Sequence, residues 1–189
     1  MNTKLVKVDI ENPDMNILGE AAEILRNGGL VAFPTETVYG LGANGLDEQA
    51  CKKIYEAKGR PSDNPLILTI GDISGLYPIV SRVTPNAEKI INAFWPGPIT
   101  LVLPKAECVP MTVTGGLDTV AVRFPSNKIA QELIKAAGIP VAAPSANSSG
   151  KPSPTRASHV EFDLNGKIDM IIDGGAADWG LESTILDVS

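Results

Sequence analysis

The chain has 189 residues, 43% of them hydrophobic, which is sufficient for one domain around a single core. Its formal net charge is −6. This acidic balance argues against a protein that binds nucleic acid regardless of sequence, because such binding depends mostly on phosphate neutralisation. No stretch is apolar for long enough to span a membrane, which favours a cytoplasmic protein without a membrane partner.

The sequence gives no sign of a targeting segment or of cysteine chemistry. Residues 1–11 lack the basic-then-apolar pattern of a secretion signal. Cys51 and Cys108 lie far apart, without Cys-x-x-Cys or Cys/His spacing, so neither a disulfide framework nor a zinc site is predicted. We expect both to be core or free thiols in a reducing compartment.

Predicted strands and helices alternate along the chain. Buried apolar runs predict strands at residues 4–8, 30–33, 66–70, 99–103, 120–124, 141–143, 170–172 and 184–188. Helical spacing and capping residues predict helices from Asp14 to before Gly28, and at residues 48–58, 85–94, 127–137 and about 156–164. This order predicts an α/β fold with an open, mixed β-sheet flanked by helices.

The stretch at residues 30–45 is the one around which we expect a site to form. Its apolar strand ends at a proline and continues into threonines and glycines, which let a ligand approach the backbone. Gly40, Gly42 and Gly45 begin too far from the strand for a dinucleotide fingerprint. A leucine and an aspartate follow where a P-loop needs lysine and serine or threonine. A binding segment and an ordinary glycine-rich loop both remain open.

Residues 58–65 combine a helix end with unexplained polar groups. Lys58, with the glycine after it and a nearby proline, is accounted for by the end of a helix. Arg60, Ser62 and Asn64 have no such explanation, and their guanidinium, hydroxyl and amide groups suit a triphosphate. We therefore regard this segment as a candidate phosphate site.

The strand predicted at residues 120–124 carries an arginine. Alternation along the strand places Thr119, Ala121 and Arg123 on the face opposite the core. An arginine in a half-buried strand needs an anionic partner. That partner is either a structural aspartate or glutamate or the carboxylate of a ligand, and the sequence does not decide between them.

Polar loops next to later strands extend the candidate site. Residues 144–154 follow a strand and resemble either a linker or a ligand-binding loop, and residues 173–175 and 180–184 are further glycine and hydroxyl stretches. The single histidine, His159, lies in a predicted helix, and no nucleophile motif or metal-ligand cluster is present. These observations favour an enzyme that positions charged reactants over one that uses covalent catalysis.

Six ordered motifs resemble the YrdC-like family of threonylcarbamoyl-AMP synthases. They are residues 34–42, 58–66, 95–98, 122–123, 144–150 and 180–184. The resemblance implies a single YrdC-like domain over residues 1–189, with an open, twisted, mixed sheet flanked by helices and a concave, positively charged site. Its members join L-threonine, bicarbonate or CO₂ and ATP, with Mg²⁺, into threonylcarbamoyl-adenylate and pyrophosphate. Partner proteins then modify certain tRNAs.

The resemblance also assigns site residues in this chain, none of them a metal ligand. Lys58 and Arg60 are implied to be catalytic, offsetting charge on the leaving pyrophosphate. The L-threonine positions are Thr37, Thr69, Arg123 and Ser183. The ATP positions are Lys58, Arg60, Ser62, Asn64, Thr119, Ser145 and Asn147.

Two departures and two alternatives accompany the resemblance. Thr69 stands where long-form members commonly have histidine, and the chain stops before the Arg-Pro-Gly segment and second domain of those members. One alternative is a non-catalytic factor that binds double-stranded RNA, tRNA or ribosomes, favoured by Lys52 and Lys53 beside the candidate phosphate site but opposed by the acidic net charge. Another is a carbamoyl-adenylate domain for metalloenzyme maturation, whose usual zinc-finger-like cysteines are missing.

Overall fold

The computed structural model describes residues 2–189; Met1, which the predictions for residues 1–11 and 1–189 include, lies outside the described residues. Within this range the chain forms one sheet of nine strands. The strands are β1 (Lys4–Lys7), β2 (Val31–Phe33), β3 (Gly40–Asn44), β4 (Ile67–Thr69), β5 (Ile99–Pro104), β6 (Thr119–Arg123), β7 (Val141–Ala142), β8 (Met170–Asp173) and β9 (Thr184–Asp187).

The sheet is mixed, as the sequence predicts. Its strand order is β1-β8-β2-β3-β7-β4-β6-β5-β9. Parallel pairs join β1 and β2 to β8, β4 to β6, and β5 to β9. Antiparallel pairs join β2 to β3, β3 to β7, β7 to β4, and β6 to β5. The antiparallel hairpin of β2 and β3 and the later strands β4 and β6 therefore lie on either side of the short strand β7.

Helices cover both faces of the sheet. Asp14, Thr84 and Asn127 cap three of them by accepting hydrogen bonds from backbone N–H groups, which confirms the predicted starts. No helix within residues 2–189 is long and apolar enough to cross a membrane. The helices are α1 (Met15–Arg26), α2 (Glu48–Lys58), α3 (Pro85–Phe94), α4 (Met111–Thr114), α5 (Lys128–Ala137) and α6 (Ala157–Leu164).

The core divides between the two faces because side chains alternate along each strand. In β2, Val31 and Phe33 pack with α1 and α5 on one face. Ala32 between them belongs to the larger cluster on the other face, together with residues of α2 and α6. The fold therefore buries β2 on both sides, as its continuous apolar run indicates.

One strand was missing from the sequence prediction. Residues 40–44 are strand β3, which pairs with β2 so that Gly40 lies opposite Phe33 and Gly42 opposite Val31. The prediction failed because the glycines remove the alternating side chains from which a strand is recognised. A Cβ on Gly42 would lie 2.9 Å from Phe33 Cε1 and 2.9 Å from Val141 Cγ1, so close packing requires glycine there. The short helix α4 was also missed.

Lys58, at the end of α2, ties that helix to the loop after β7. Its ammonium group is buried and donates to the backbone oxygens of Ser145 (2.5 Å) and Asn147 (2.7 Å). Ser149 N in turn donates to the Lys58 carbonyl at 2.8 Å. Burial, and then the nearby Arg60 charge, lower the pKa of Lys58 to about 8. This tether fixes the loop of residues 144–149 against α2.

We expect Gly42→Ala to lower the free energy of unfolding by about 1–3 kcal/mol, because the added methyl group overpacks the contact with Phe33 and Val141. Urea unfolding measures the change. The matched control is Gly19→Ala in α1, where a Cβ would meet nothing within 4 Å and alanine favours the helix. Equal stability of Gly42→Ala and wild type would contradict the packing described for β3.

We also expect Lys58 to make stability depend on pH. Between about pH 8 and the ordinary lysine pKa of 10.5, the unfolded chain holds a proton that folded Lys58 has lost. Stability therefore rises with pH through this window. The stability difference, wild type minus Lys58→Met, should increase by about 1 kcal/mol per pH unit between pH 8 and 10, because the two states differ by slightly less than one proton there. Urea unfolding at pH 8, 9 and 10 tests this, and a constant difference would contradict it.

Candidate active site

Six of the residues predicted from the sequence line one cavity of about 390 Å³. The cavity lies where β4, β6 and β7 are neighbours in the sheet, with Ile67, Ala121 and Ala143 in its wall. The six predicted residues in its lining are Thr37, Arg60, Asn64, Arg123, Ser145 and Ser183.

Strand ends and the loops beside them bring these residues together. Arg123 is the last residue of β6, which runs parallel to β4. Ser145 follows β7 and bridges to Gly40 of β3. Ser183 directly precedes β9, while Thr37 lies in the connection from β2 to β3. Polar side chains at several strand ends therefore face one space, which is where open α/β sheets bind ligands.

Arg123 is the most enclosed charged residue in this lining. Its side chain is 9% exposed, and Nη1 donates to Thr37 Oγ1 at 2.7 Å. Nε donates to the Gly97 carbonyl at 3.4 Å. Nη2 lies 2.7 Å from Glu36 Oε1, so the structural anion that the sequence left open is present. Glu36 lies inside the first motif beside Thr37, but no local sequence pattern marks it as a site residue.

The hydroxyl groups near Arg123 are already ordered by contacts within the protein. Thr37 Oγ1 lies 3.0 Å from Thr35 Oγ1, and Ser183 Oγ lies 2.7 Å from Thr100 Oγ1. The backbone N–H of Gly180 donates to the Thr37 carbonyl at 3.0 Å. This half of the cavity is thus held in place before any ligand arrives.

Arg60 and Asn64 form a more open side of the cavity. Arg60 Nη2 donates to the Pro65 carbonyl at 3.0 Å, while its Nε is buried without a partner. Burial lowers the pKa of Arg60, against the raising effect of Tyr55 and Glu182. Glu182, which also lines the cavity and was not predicted, accepts from Ser153 Oγ at 2.5 Å. Arg60 therefore keeps donor capacity for an anion.

Five other predicted residues do not line this cavity. Thr69 instead lines a small adjoining recess of about 30 Å³, which also touches Arg123 and Ser145. The Lys58 ammonium donates to oxygen atoms of Ser145 and Asn147 in the loop after β7. Ser62 is exposed in the loop after α2, Thr119 begins β6, and the amide of Asn147 donates to the carbonyls of Ser148 and Lys151.

The charges around the cavity are nearly balanced. Its lining carries Arg60, Arg123 and Glu182, and Glu36 pairs with one of the two arginines. A positively charged hollow therefore remains a prediction. Among residues 2–189 no group of three or more His, Cys, Asp or Glu side chains could hold a metal ion. A larger cavity of about 880 Å³, between α1 and α2, contains none of the predicted site residues.

Comparison with known proteins agrees with the motifs. Residues 23–189 match the Sua5/YciO/YrdC family, whose description reads "Telomere recombination". The threonylcarbamoyl-AMP synthase of Pyrococcus abyssi is 59% identical over 169 residues, which are 89% of this chain and 50% of that protein. The threonylcarbamoyl-AMP synthase of Bacillus subtilis is 55% identical over 170 residues, covering 89% and 49%.

A solved structure shares the whole fold. The crystal structure of P. abyssi Sua5 complexed with L-threonine has a TM-score of 0.96 and 55% identity, over 98% of this chain and 54% of that one. The chain spans about half the length of these relatives. The resemblance drawn from the motifs is confirmed, and the chain belongs to the Sua5/YciO/YrdC family.

Proposed function

We propose that this chain carries the catalytic centre of a threonylcarbamoyl-AMP synthase, which joins L-threonine, bicarbonate or CO₂ and ATP and releases pyrophosphate. The observation that carries the proposal is the single cavity that places Thr37, Arg123 and Ser183 beside Arg60 and Asn64. The first three residues suit an amino acid, and Arg60 and Asn64 suit phosphates. Two comparisons support this assignment. The Pyrococcus relative is named a threonylcarbamoyl-AMP synthase, and the similar P. abyssi structure was solved with L-threonine.

The amino-acid half orients the nucleophile. The L-threonine carboxylate pairs with Arg123, and the hydroxyls of Thr37 and Ser183 bind its polar groups. The substrate's amine then attacks the carbon of CO₂, so that an N–C bond forms as one C=O π bond opens, and the amine's proton passes to solvent to leave a carbamate. A carbamate oxygen attacks the α-phosphorus of ATP, and the bond from that phosphorus to the bridging oxygen of pyrophosphate breaks. Catalysis here is positioning and charge compensation.

The phosphate half compensates the leaving group. Arg60 offers a guanidinium to the pyrophosphate oxygens, and Asn64 and Ser145 add amide and hydroxyl groups. Lys58 acts through the loop that it holds, because its donors lie on the carbonyls of Ser145 and Asn147. The remaining predicted residues do not line the cavity, and their substrate contacts are proposed on the family resemblance alone. These residues are Ser62, Thr69, Thr119 and Asn147.

Mg²⁺ bound to ATP fits the residues of the cavity. Proteins hold this ion through one or two carboxylates together with substrate phosphates. Glu182 supplies one carboxylate beside Arg60. When bound, the ion would neutralise phosphate charge. Glu182 is therefore the residue that we propose to hold it.

The proposed reaction places the chain in tRNA modification in the cytoplasm, with partner proteins that transfer the product to tRNA. Both cysteines are free, which suits a reducing compartment. The alternative is an RNA-binding factor without catalysis. Lys52 forms an ion pair with Glu48 at 2.8 Å, which leaves less of its charge for RNA.

The decisive assay measures pyrophosphate release from ATP with and without L-threonine and bicarbonate. We expect release only when all three substrates and Mg²⁺ are present, because the carbamate is the nucleophile. Release that is independent of L-threonine and bicarbonate would contradict the proposal. Salt-sensitive RNA binding without any turnover would favour the RNA-binding alternative.

We expect Arg123→Ala to reduce L-threonine-dependent turnover by about 100-fold or more, because the substrate carboxylate loses its buried partner. ATP binding, measured by calorimetry, should remain because Arg60 and Asn64 are intact, and it also shows that the variant folds. Arg82→Ala is the matched control, since Arg82 is exposed and lies outside the cavity lining. Undiminished turnover in Arg123→Ala would show that this arginine is only structural.

A further inference from the structure

Glu36 and Arg123 form a charge pair that solvent hardly reaches. The exposed fraction is 3% for the Glu36 side chain and 9% for the Arg123 side chain, and Oε1 and Nη2 lie 2.7 Å apart. Neither carboxylate oxygen of Glu36 has a hydrogen-bond partner, and neither has Nη2 of Arg123. The pair is therefore close enough for a strong Coulomb attraction but is not aligned as a hydrogen bond.

Other groups set the direction of the Arg123 guanidinium. Nη1 donates to Thr37 Oγ1 at 2.7 Å, and Nε donates to the Gly97 carbonyl at 3.4 Å. Both are directional contacts, whereas the contact with Glu36 is not. Glu36 thus compensates the charge of Arg123 but does not set the orientation of its guanidinium.

A buried carboxylate without hydrogen bonds is costly to maintain. A glutamate that served only to hold the loop in place would be expected to accept backbone N–H groups. Here the backbone carbonyl of Glu36 does accept from Trp179 N at 3.0 Å, but its carboxylate does not. Its one compensation is the positive charge of Arg123, so the two charges stabilise each other.

We propose that Glu36 is the internal counter-ion of Arg123 and that it limits how tightly the cavity holds the carboxylate of its amino-acid substrate. This inference rests on the proposed function. A carboxylate that reaches Arg123 meets a cation that is already half compensated, and it is repelled by the nearby Glu36 charge. Glu36 acts through the charge of Arg123 and is not itself a catalytic residue. The weaker hold favours exchange of substrate and release of product.

The test compares L-threonine with L-threoninol, which lacks the carboxylate, by calorimetry on wild type and Glu36→Gln. The substitution keeps the shape of the side chain and removes its charge. We expect the preference for L-threonine over L-threoninol to rise about tenfold, because a unit charge a few ångströms away acts mainly on the carboxylate. The matched control is Glu161→Gln, an exposed glutamate outside the cavity lining, which should leave the preference unchanged.

An unchanged or reduced preference in Glu36→Gln would overturn the inference, because a merely structural role would affect both ligands alike. If Glu36→Gln does not fold, Glu36→Asp, which draws the charge away from Nη2, should raise the preference by a smaller factor. Wild-type protein that binds no L-threonine would contradict the proposed function instead.

A thermal double-mutant cycle tests the charge pair without any substrate. Glu36→Gln and Arg123→Met should each lower the melting temperature, because each leaves the other charge buried and uncompensated. The double variant should recover most of that loss. Additive losses would overturn the role of Glu36 as a counter-ion.

Discussion

The buried charge of Arg123 is the constraint on which this half of the molecule depends. A guanidinium that is 9% exposed has lost most of its contact with water, so the protein must surround its charge with oxygen atoms. These come from two separate segments, one with Glu36 and Thr37 and the other with the Gly97 carbonyl. The connection from β2 to β3 and the turn before β5 are therefore fixed against the end of β6. The cavity has its shape because those segments must meet there.

The two halves of the cavity differ in how firmly they are held. Thr37 and Arg123 are buried, and Ser183 is hydrogen-bonded to Thr100, so the proposed amino-acid half is ordered without a ligand. Asn64 lies in an exposed loop, while Arg60 there retains an unpartnered Nε. If the proposed function holds, the ordering cost of binding falls mainly on the proposed nucleotide half. In the proposed function, discrimination between amino acids would therefore reside in the rigid half.

Much of this site could be predicted from the sequence, but contacts between distant segments could not. Alternation along residues 119–124 showed that Arg123 needed an anion, since that inference uses only local periodicity. It could not identify Glu36, because the pairing joins segments far apart in the chain. Strand β3 was missed because glycines carry no hydrophobic pattern, although they are required where Phe33 packs against Gly42. Local rules thus predict which residues are unusual, and the fold decides what satisfies them.

Lys58 shows the same limit within a single motif. It lies two residues before Arg60, and the family resemblance implies that both cations lie beside the same phosphates. The helix separates them, because Lys58 is the last residue of α2 whereas Arg60 lies beyond the left-handed Gly59 that ends it. One cation therefore turns inward and fixes the loop that presents Ser145, and the other lines the cavity. A helix end thus divides two neighbouring charges between the support of the site and its binding surface.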